Sequence, residues 1–419
     1  MSGFTDDSAR KIEIISQGTY GCIFKPGMNC KGEIEKKGYI TKLQYDQETT
    51  QNEVNIGKIL LEKDVSINMS KKEQRKYDER FAPILHSCPV MIGQERREDF
   101  IEKCKVIKDN SSKNIFSSNK IRYVGKYTLF DYFSMLIREP NKSKFIGYCI
   151  RFHKYLLESA SILKEKKIIH FDLKENNILI DEKQNIPVII DFGLSINMKL
   201  LLQEPMNSYL YTKTFFTYYD KYPPWCLEII LISFIVNNVP VDSIWGGAKD
   251  KFDPRTKMQE KKKENAIDWT SRIVKKEDLL SIIDHFFENN PLIIMISLDT
   301  RENYKTQWKN WIQSIYMEKR STIHGIFMVK KLIHSWTSWD TFGLSVIFFI
   351  LLHKFTPNHF LGYKHILVGN ILAIPTEREI PEVFQKKLSD YFHSLDATKE
   401  KAEWIGYNPR SKSKLPVTL

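Results

Sequence analysis

Apolar and polar residues change their spacing along the 419-residue chain in a way that separates two regions. Over residues 11–16 they alternate, as in a half-buried strand. Cys22, Ile23 and Phe24 make a second short apolar run, and residues 39–43 a third, after a turn-rich link through Pro26, Gly27 and Gly32. From Gln47 the period lengthens to that of a helix, marked by Val54, Ile56, Ile59, Leu60 and Leu61. Residues 62–120 are mixed, with charged runs and a loop-like stretch at 109–119, and strand character resumes at 120–124. Beyond Leu129 the pattern is helical, apart from two short apolar strands at 178–180 and 188–190 joined by a polar link. Far along the chain, Leu279, Ile282, Ile283, Phe286 and Phe287 form one helical stripe, and Trp308, Trp311, Ile312 and Ile315 a second. A smaller β-rich first part and a larger helical second part follow, with a boundary near Gly125. There is no internal repeat, and the apolar runs at 229–236 and 342–352 fall short of the roughly 18 residues that cross a bilayer.

Composition narrows the class. Hydrophobic residues at 42%, charged at 27% and aromatic at 12% describe a globular chain, neither disordered nor collagen-like. At about 150 residues per domain the length allows two or three units. The formal charge of +12 comes from 63 basic against 51 acidic residues, interspersed along the chain. Such a balance solvates a surface, suits acidic partners, and indicates nucleic acid no further than net charge does. The six cysteines, 22, 30, 88, 104, 149 and 226, form no CxxC pair. Neither a metal cluster nor a disulfide framework is therefore expected, and a reducing compartment is. The first ten residues carry Asp6 and Asp7 and no apolar stretch, which argues against a secretory signal. A soluble, cytoplasmic protein without a transmembrane segment is the expectation.

Three constellations carry chemistry. Ser16, Gly18, Thr19, Tyr20, Gly21 and Ile23 form a glycine-containing turn between strands, where backbone N–H groups can approach a phosphate. Lys42 on the third strand can reach nucleotide phosphates, and Glu53 on the following helix can hold it as an ion pair. Next, residues 168–180 carry an acid, a lysine and an amide at fixed intervals between a helix and a strand. Asp172 can orient a hydroxyl and accept its proton, Lys174 can offset phosphoryl charge, and Asn177 can bind a hard cation. The third, Asp191-Phe192-Gly193, puts a carboxylate at the end of a buried strand, where it can complete a Mg²⁺ site with Asn177.

Together these residues resemble the signature set of the eukaryotic-type protein kinase family. His170-Phe171-Asp172 is similar to its catalytic-loop motif, Asn177 to its asparagine, Asp191-Phe192-Gly193 to its metal-binding motif, and Lys42 and Glu53 to its strand lysine and helix glutamate. Asp340 looks like the aspartate that braces the catalytic loop from a central helix. Glu228 resembles the glutamate that closes the activation segment, with Arg410 or Lys412 as its partner. The resemblance implies an α+β, bilobal fold. Residues 1–125 would be a nucleotide-binding lobe and 126–419 a mainly helical lobe, with a helical insertion at about 239–335. It implies ATP with Mg²⁺ or Mn²⁺, and protein substrates. Lys174, two residues after Asp172, is the pattern similar to kinases directed at Ser or Thr. The scarcity of alanine, the abundance of Lys, Ile and Asn, and the divergent insertions are similar to kinases of large DNA viruses or AT-rich protists. A viral origin would imply host cytoplasm or virion.

The departures from the pattern carry expectations of their own. Ser16 stands at the first glycine of the phosphate loop, and Phe171 replaces an arginine that docks a phosphorylated activation loop, so activity without such phosphorylation is expected. Gly57 stands one turn after Glu53, where a bulky side chain would pack on Phe192; either Glu48 is the partner of Lys42 or another residue completes the stack. Lys221 falls near the place of a threonine that the family carries at the substrate groove. The intervening 239–335 stretch reads as a helical subdomain with an exposed link at 246–264. Two competing readings are a catalytically inactive scaffold and a small-molecule phosphotransferase; Lys42, Asp172, Asn177 and Asp191 argue against the first, and the Asp172-Leu173-Lys174 triplet against the second.

Overall fold

A period of two along β2 (Gly21–Lys25) and β3 (Tyr39–Gln44) turns Cys22, Phe24, Thr41 and Leu43 to one face and Ile23, Ile40 and Lys42 to the other. Both faces are covered in the computed structural model, which describes residues 13–18, 21–31, 38–45, 47–61, 79–91, 104–109, 115–241, 268–319 and 322–406. Thr19, Tyr20, the 246–264 link, Arg410 and Lys412 lie outside the described residues. The chain divides into two units, Met1–Thr128 with Asn177–Ser195, and Leu129–Asn176 with Ile196–Leu419.

In the first unit β1 (Glu13–Gln17), β2, β3, β5 (Ile84–Met91) and β6 (Ile115–Arg122) form an antiparallel sheet in the order β1-β2-β3-β6-β5. A second sheet places β4 (Phe81–Ala82) parallel to β9 (Ile186–Ile190), which is antiparallel to β8 (Ile178–Asp181). Cys22, Phe24, Leu43 and Phe116 bury one face of the larger sheet against Val106 and Ile107 of α2 (Lys105–Asp109). Ile40, Ala82, Ile84, Ile121, Val124 and Val188 form the other core cluster. The helix α1 (Gln47–Leu61) turns Thr50, Glu53, Gly57 and Leu60, at i, i+3, i+7 and i+10, to its buried side. The expected loop at 109–119 is in its second half the strand β6. Its Ser118 and Asn119 are polar yet buried, because Asn119 Nδ2 donates to Gln44 Oε1 at 2.6 Å across the sheet. The strand pair β8–β9, with Asp191 to Gly193 after it, belongs to this first unit, where the sequence places the whole stretch after Gly125 in the second lobe.

The cysteine expectation is corrected. Cys22 is bonded to Cys104 and Cys30 to Cys88, at Cα separations of 6.1 and 6.0 Å, while Cys149 and Cys226 are free and buried. The partners stand 82 and 58 residues apart in sequence, and only the pairing of β2, β5 and α2 brings them together. Spacing alone therefore gives no sign of them, and the ground for expecting a reducing compartment falls away. His86 Nδ1 lies 3.6 Å from Cys30 Sγ, so ligand types for a soft metal do gather there, although the two sulfurs are bonded to each other.

The second unit is helical. It holds α3 (Leu129–Leu136), α4 (Lys142–Glu165), the short strand pair β7 (Ile168–Ile169) and β10 (Ile196–Asn197), α5 (Met198–Leu201), α6 (Ser208–Thr214) and α7 (Leu227–Val236). The helices α8 (Lys276–Asn289), α9 (Leu298–Lys319) and α10 (Gly325–Ile333) occupy the expected insertion, and α11 (Trp339–Phe355), α12 (Leu361–Leu372), α13 (Pro381–Phe392) and α14 (Leu395–Gly406) complete it. Both expected stripes are buried, apart from a half-exposed Trp311, and Trp308 Nε1 donates to Leu372 O at 2.9 Å, anchoring α9 on the end of α12. Contrary to the sequence estimate, the helical stretch Trp336–Phe355 reaches 20 residues and is long and apolar enough to cross a membrane. It is mostly buried, packed by α4 and α12, which is how a helix apolar on all sides behaves at the centre of a core.

Candidate active site

In the first unit β3 carries Lys42 opposite Ile23 on β2 and Asn119 on β6. Its ammonium donates to Glu53 Oε2 and to Asp191 Oδ1, each at 2.9 Å. Burial alone pushes this amine down, but the two carboxylates outweigh it and hold Lys42 above the ordinary lysine value. Glu53 is buried on the inner stripe of α1, whereas the Asp191 side chain is 46% exposed and can take further ligands. The helix has a glycine at 57 because a Cβ there would meet Ile84 O at 2.7 Å, so the strand backbone occupies the space that a side chain would need. The packing partner of Phe192 comes instead from β4: Phe81 meets it edge-on at 6.1 Å and 69°.

Asp191 has a φ of 63°, a left-handed backbone that aspartate tolerates better than most residues. Asn52, on α1, holds the chain beyond it by donating to Gly193 O at 3.1 Å and Ser195 O at 2.9 Å. The β8–β9 register pairs Ile178 with Ile189, so Asn177 and Asp191 emerge at the same end of the hairpin. An amide oxygen and an exposed carboxylate there make a sparse set of hard donors that fits Mg²⁺. In the glycine-containing turn, Gly18 N–H donates to Gly21 O at 2.9 Å, and Ser16 pairs with Ile23. A Cβ on Gly21 would meet Leu43 O at 2.1 Å, so that glycine is required by the approach of β3 before any phosphate is considered.

In the second unit both carboxylate oxygens of Asp340, at the start of α11, accept from His170 N–H at 3.2 and 3.1 Å. Burial raises this carboxyl to about 6 against the favourable pull of His170 and the backbone donors. The His170 ring in turn accepts the Asp172 N–H at 3.3 Å. Asp172 Oδ2 takes the Lys174 ammonium at 2.9 Å, and Oδ1 takes the hydroxyl of Tyr222. Phe171 is held at a φ of 67°, which costs a bulky side chain on the order of 1–2 kcal/mol. Two aromatic contacts and a hydrogen bond offset that cost: Phe215 edge-on at 5.9 Å, Trp225 at 5.1 Å, and Trp225 Nε1 donating to Phe171 O at 3.2 Å. An aromatic clamp thus stands where the family's arginine would be. Glu228 on α7 is wholly buried against the guanidinium of Arg378, which also donates to Asn370 O and Ala373 O. The partner that the described residues show for Glu228 is Arg378, which no spacing rule would single out; the expected Arg410 or Lys412 lies outside them. Asn52, Phe81, Tyr222, Trp225 and Arg378 are the positions that the motifs left out.

A family model described as "Protein kinase domain" matches residues 93–292. The chain is 27% identical over 113 residues to "Serine/threonine-protein kinase pim-2" of Danio rerio, covering 25% of this chain and 36% of that protein. It is 33% identical over 82 residues to "Cyclin-dependent kinase 1" of Encephalitozoon cuniculi (strain GB-M1), covering 19% and 27%. These matches span about a third of the relatives' own length. The β-sheet unit and the helical unit agree with the match, and the chain carries a protein kinase domain.

Proposed function

We propose that the protein is an active kinase that transfers the γ-phosphoryl group of ATP to Ser or Thr hydroxyls of protein substrates. The observation that carries this reading is Lys42 bonded at 2.9 Å to both Glu53 and Asp191, an arrangement that a decayed site has no reason to keep. Lys42 would engage phosphate oxygens of ATP, and Asp191 with Asn177 would hold Mg²⁺. When bound, that ion supplies neutralisation of phosphate charge. Asp172 orients the acceptor hydroxyl and takes its proton as the new O–P bond forms and the bond to the leaving diphosphate breaks. Lys174 stabilises charge on the transferring group. Lys174 also supports Ser or Thr as acceptor, and the +12 charge supports acidic substrates. Incubation with radiolabelled ATP and a panel of acidic and basic proteins tests the reading, with Asp172→Asn as control. No label above that control would refute it.

The clamp of Phe171 by Phe215 and Trp225 leaves no cation at that position for a phosphate to dock on. Phosphatase-treated enzyme is therefore expected to keep its activity within about twofold, well under the 10-fold change of a 1.4 kcal/mol effect. Loss of most activity on treatment would contradict this.

The raised Asp340 carboxyl gives a pH signature. Above about 6 it is ionised and both oxygens accept from the catalytic-loop backbone; below, one oxygen becomes a hydroxyl and the grip on His170 weakens. Turnover should fall as pH drops through about 6. Asp340→Asn, which mimics the neutral group, should be slow at neutral pH and lack that limb. An unchanged acid limb in the variant would show that another group controls it.

A further inference from the structure

Lys174 Nζ donates to Asp172 Oδ2 at 2.9 Å and to the Tyr222 hydroxyl at 3.2 Å, while that hydroxyl donates to Asp172 Oδ1. The three groups close a ring of hydrogen bonds. A carboxylate engaged on one oxygen can still rotate about its last bond; with a donor on each oxygen its plane is fixed. The Asp172 side chain remains 9% exposed, enough to admit an incoming hydroxyl.

Tyr222 is itself held from two sides. Its ring meets Trp225 edge-on at 5.3 Å, its carbonyl accepts Trp225 N–H at 3.0 Å, and Trp225 Nε1 is bonded to Phe171 O, next to Asp172 in sequence. Two residues earlier, Asp220 is gripped by the insertion: its carboxylate meets His285 Nε2 at 2.7 Å, and its carbonyl accepts from Asn290 Nδ2 at 2.7 Å. His285 lies on α8 and Asn290 caps its C-terminus. The inserted helix is therefore tied to the segment that presents the Tyr222 hydroxyl.

We propose that Tyr222 is the positioning residue for the acceptor hydroxyl, and that the inserted helix α8 holds it in place through Asp220. Its hydroxyl presets the plane of Asp172 and the direction of the Lys174 ammonium, so that a substrate Ser or Thr meets a carboxylate already oriented. The proposal rests on the kinase reading above. It gives the insertion a task, and it supplies from position 222 the hydroxyl that Lys221 does not.

The test is steady-state transfer from ATP to an acidic serine peptide. Tyr222→Phe keeps the ring and its Trp225 contact, so an unchanged melting temperature is expected. Its kcat should fall about 10- to 100-fold, the loss of a hydrogen bond to a charged group, with KM for ATP within about twofold. His285→Ala should lower kcat less, and should add no further loss in the Tyr222→Phe background, where additive losses would mark a merely structural role. Wild-type kcat in Tyr222→Phe, a raised kcat/KM for the peptide, or additive losses would each overturn the proposal. Where Tyr222→Phe melts lower than the wild type, an ortho-fluorinated tyrosine at 222 decides: it keeps ring and hydroxyl but loses its proton at lower pH. The alkaline fall of kcat should then move to lower pH, and an unmoved profile overturns the proposal. A wild type that labels no substrate would sink the kinase reading and this proposal together, a result distinct from an active enzyme indifferent to Tyr222→Phe.

Discussion

Asp191→Ala is expected to leave the protein folded and to lower phosphoryl transfer by about 1,000-fold or more. The two halves of that expectation come from different numbers. The Asp191 side chain is 46% exposed, so its removal uncovers little that water cannot solvate, and its bond to Lys42 contributes little to stability. Lys42 retains Glu53, so no buried cation is left alone. The reverse substitution is a poorer probe. Lys42→Met would strand the buried Glu53 carboxylate, a change that typically costs about 3–5 kcal/mol, and loss of activity would then be confounded with loss of fold. Asp191→Ala separates the two, because what it removes is the carboxylate that would share the cation with Asn177 and fix the Lys42 ammonium. Melting temperature and rate, measured on the same preparation, check it. Transfer within tenfold of wild type would defeat the assigned role of Asp191.

Short-range chemistry was legible in the sequence and long-range pairing was not. Asp172, Lys174, Asn177 and Asp191 stand where strand, loop and helix give way to one another, and Lys42 and Glu53 sit within a strand and a helix whose periods are written in spacing. The stripes of α8 and α9 were readable for the same reason. What escaped depends on residues far apart meeting in space. Arg378 reaches Glu228 across 150 positions, and Tyr222 reaches Asp172 across 50. The strand β6 was half hidden because a buried Ser-Asn pair looks like a loop until Gln44 is known to sit beside it. Gly57 likewise reads as a gap in a helix face until the carbonyl of Ile84 is seen to fill it.

The two disulfides lead to the second large expectation: reduction should destabilise the β-sheet unit far more than the helical one. All four bonded cysteines lie in the first unit, and both free cysteines lie in the second. Closing spans of 82 and 58 residues restricts the unfolded chain by about 4 kcal/mol each on the chain-entropy scale, with 2–5 kcal/mol the usual range when such a bond is lost. A domain's whole stability is about 5–15 kcal/mol, so losing both bonds would leave the first unit marginal. The order of reduction should follow access. Cys22 and Cys104 are wholly buried in the core with Phe24, Leu43 and Phe116, whereas Cys30 is exposed beside His86, so the outer bond should yield first under mild thiol reagent. Denaturing alkylation of fresh protein should label two cysteines without reductant and six with it. Thermal melts with added reductant should show one transition falling while a later one stays. Six labelled cysteines before reduction would mean that the bonds do not form, and a melt indifferent to reductant would mean that they do not support the unit that binds Lys42 to Glu53 and Asp191.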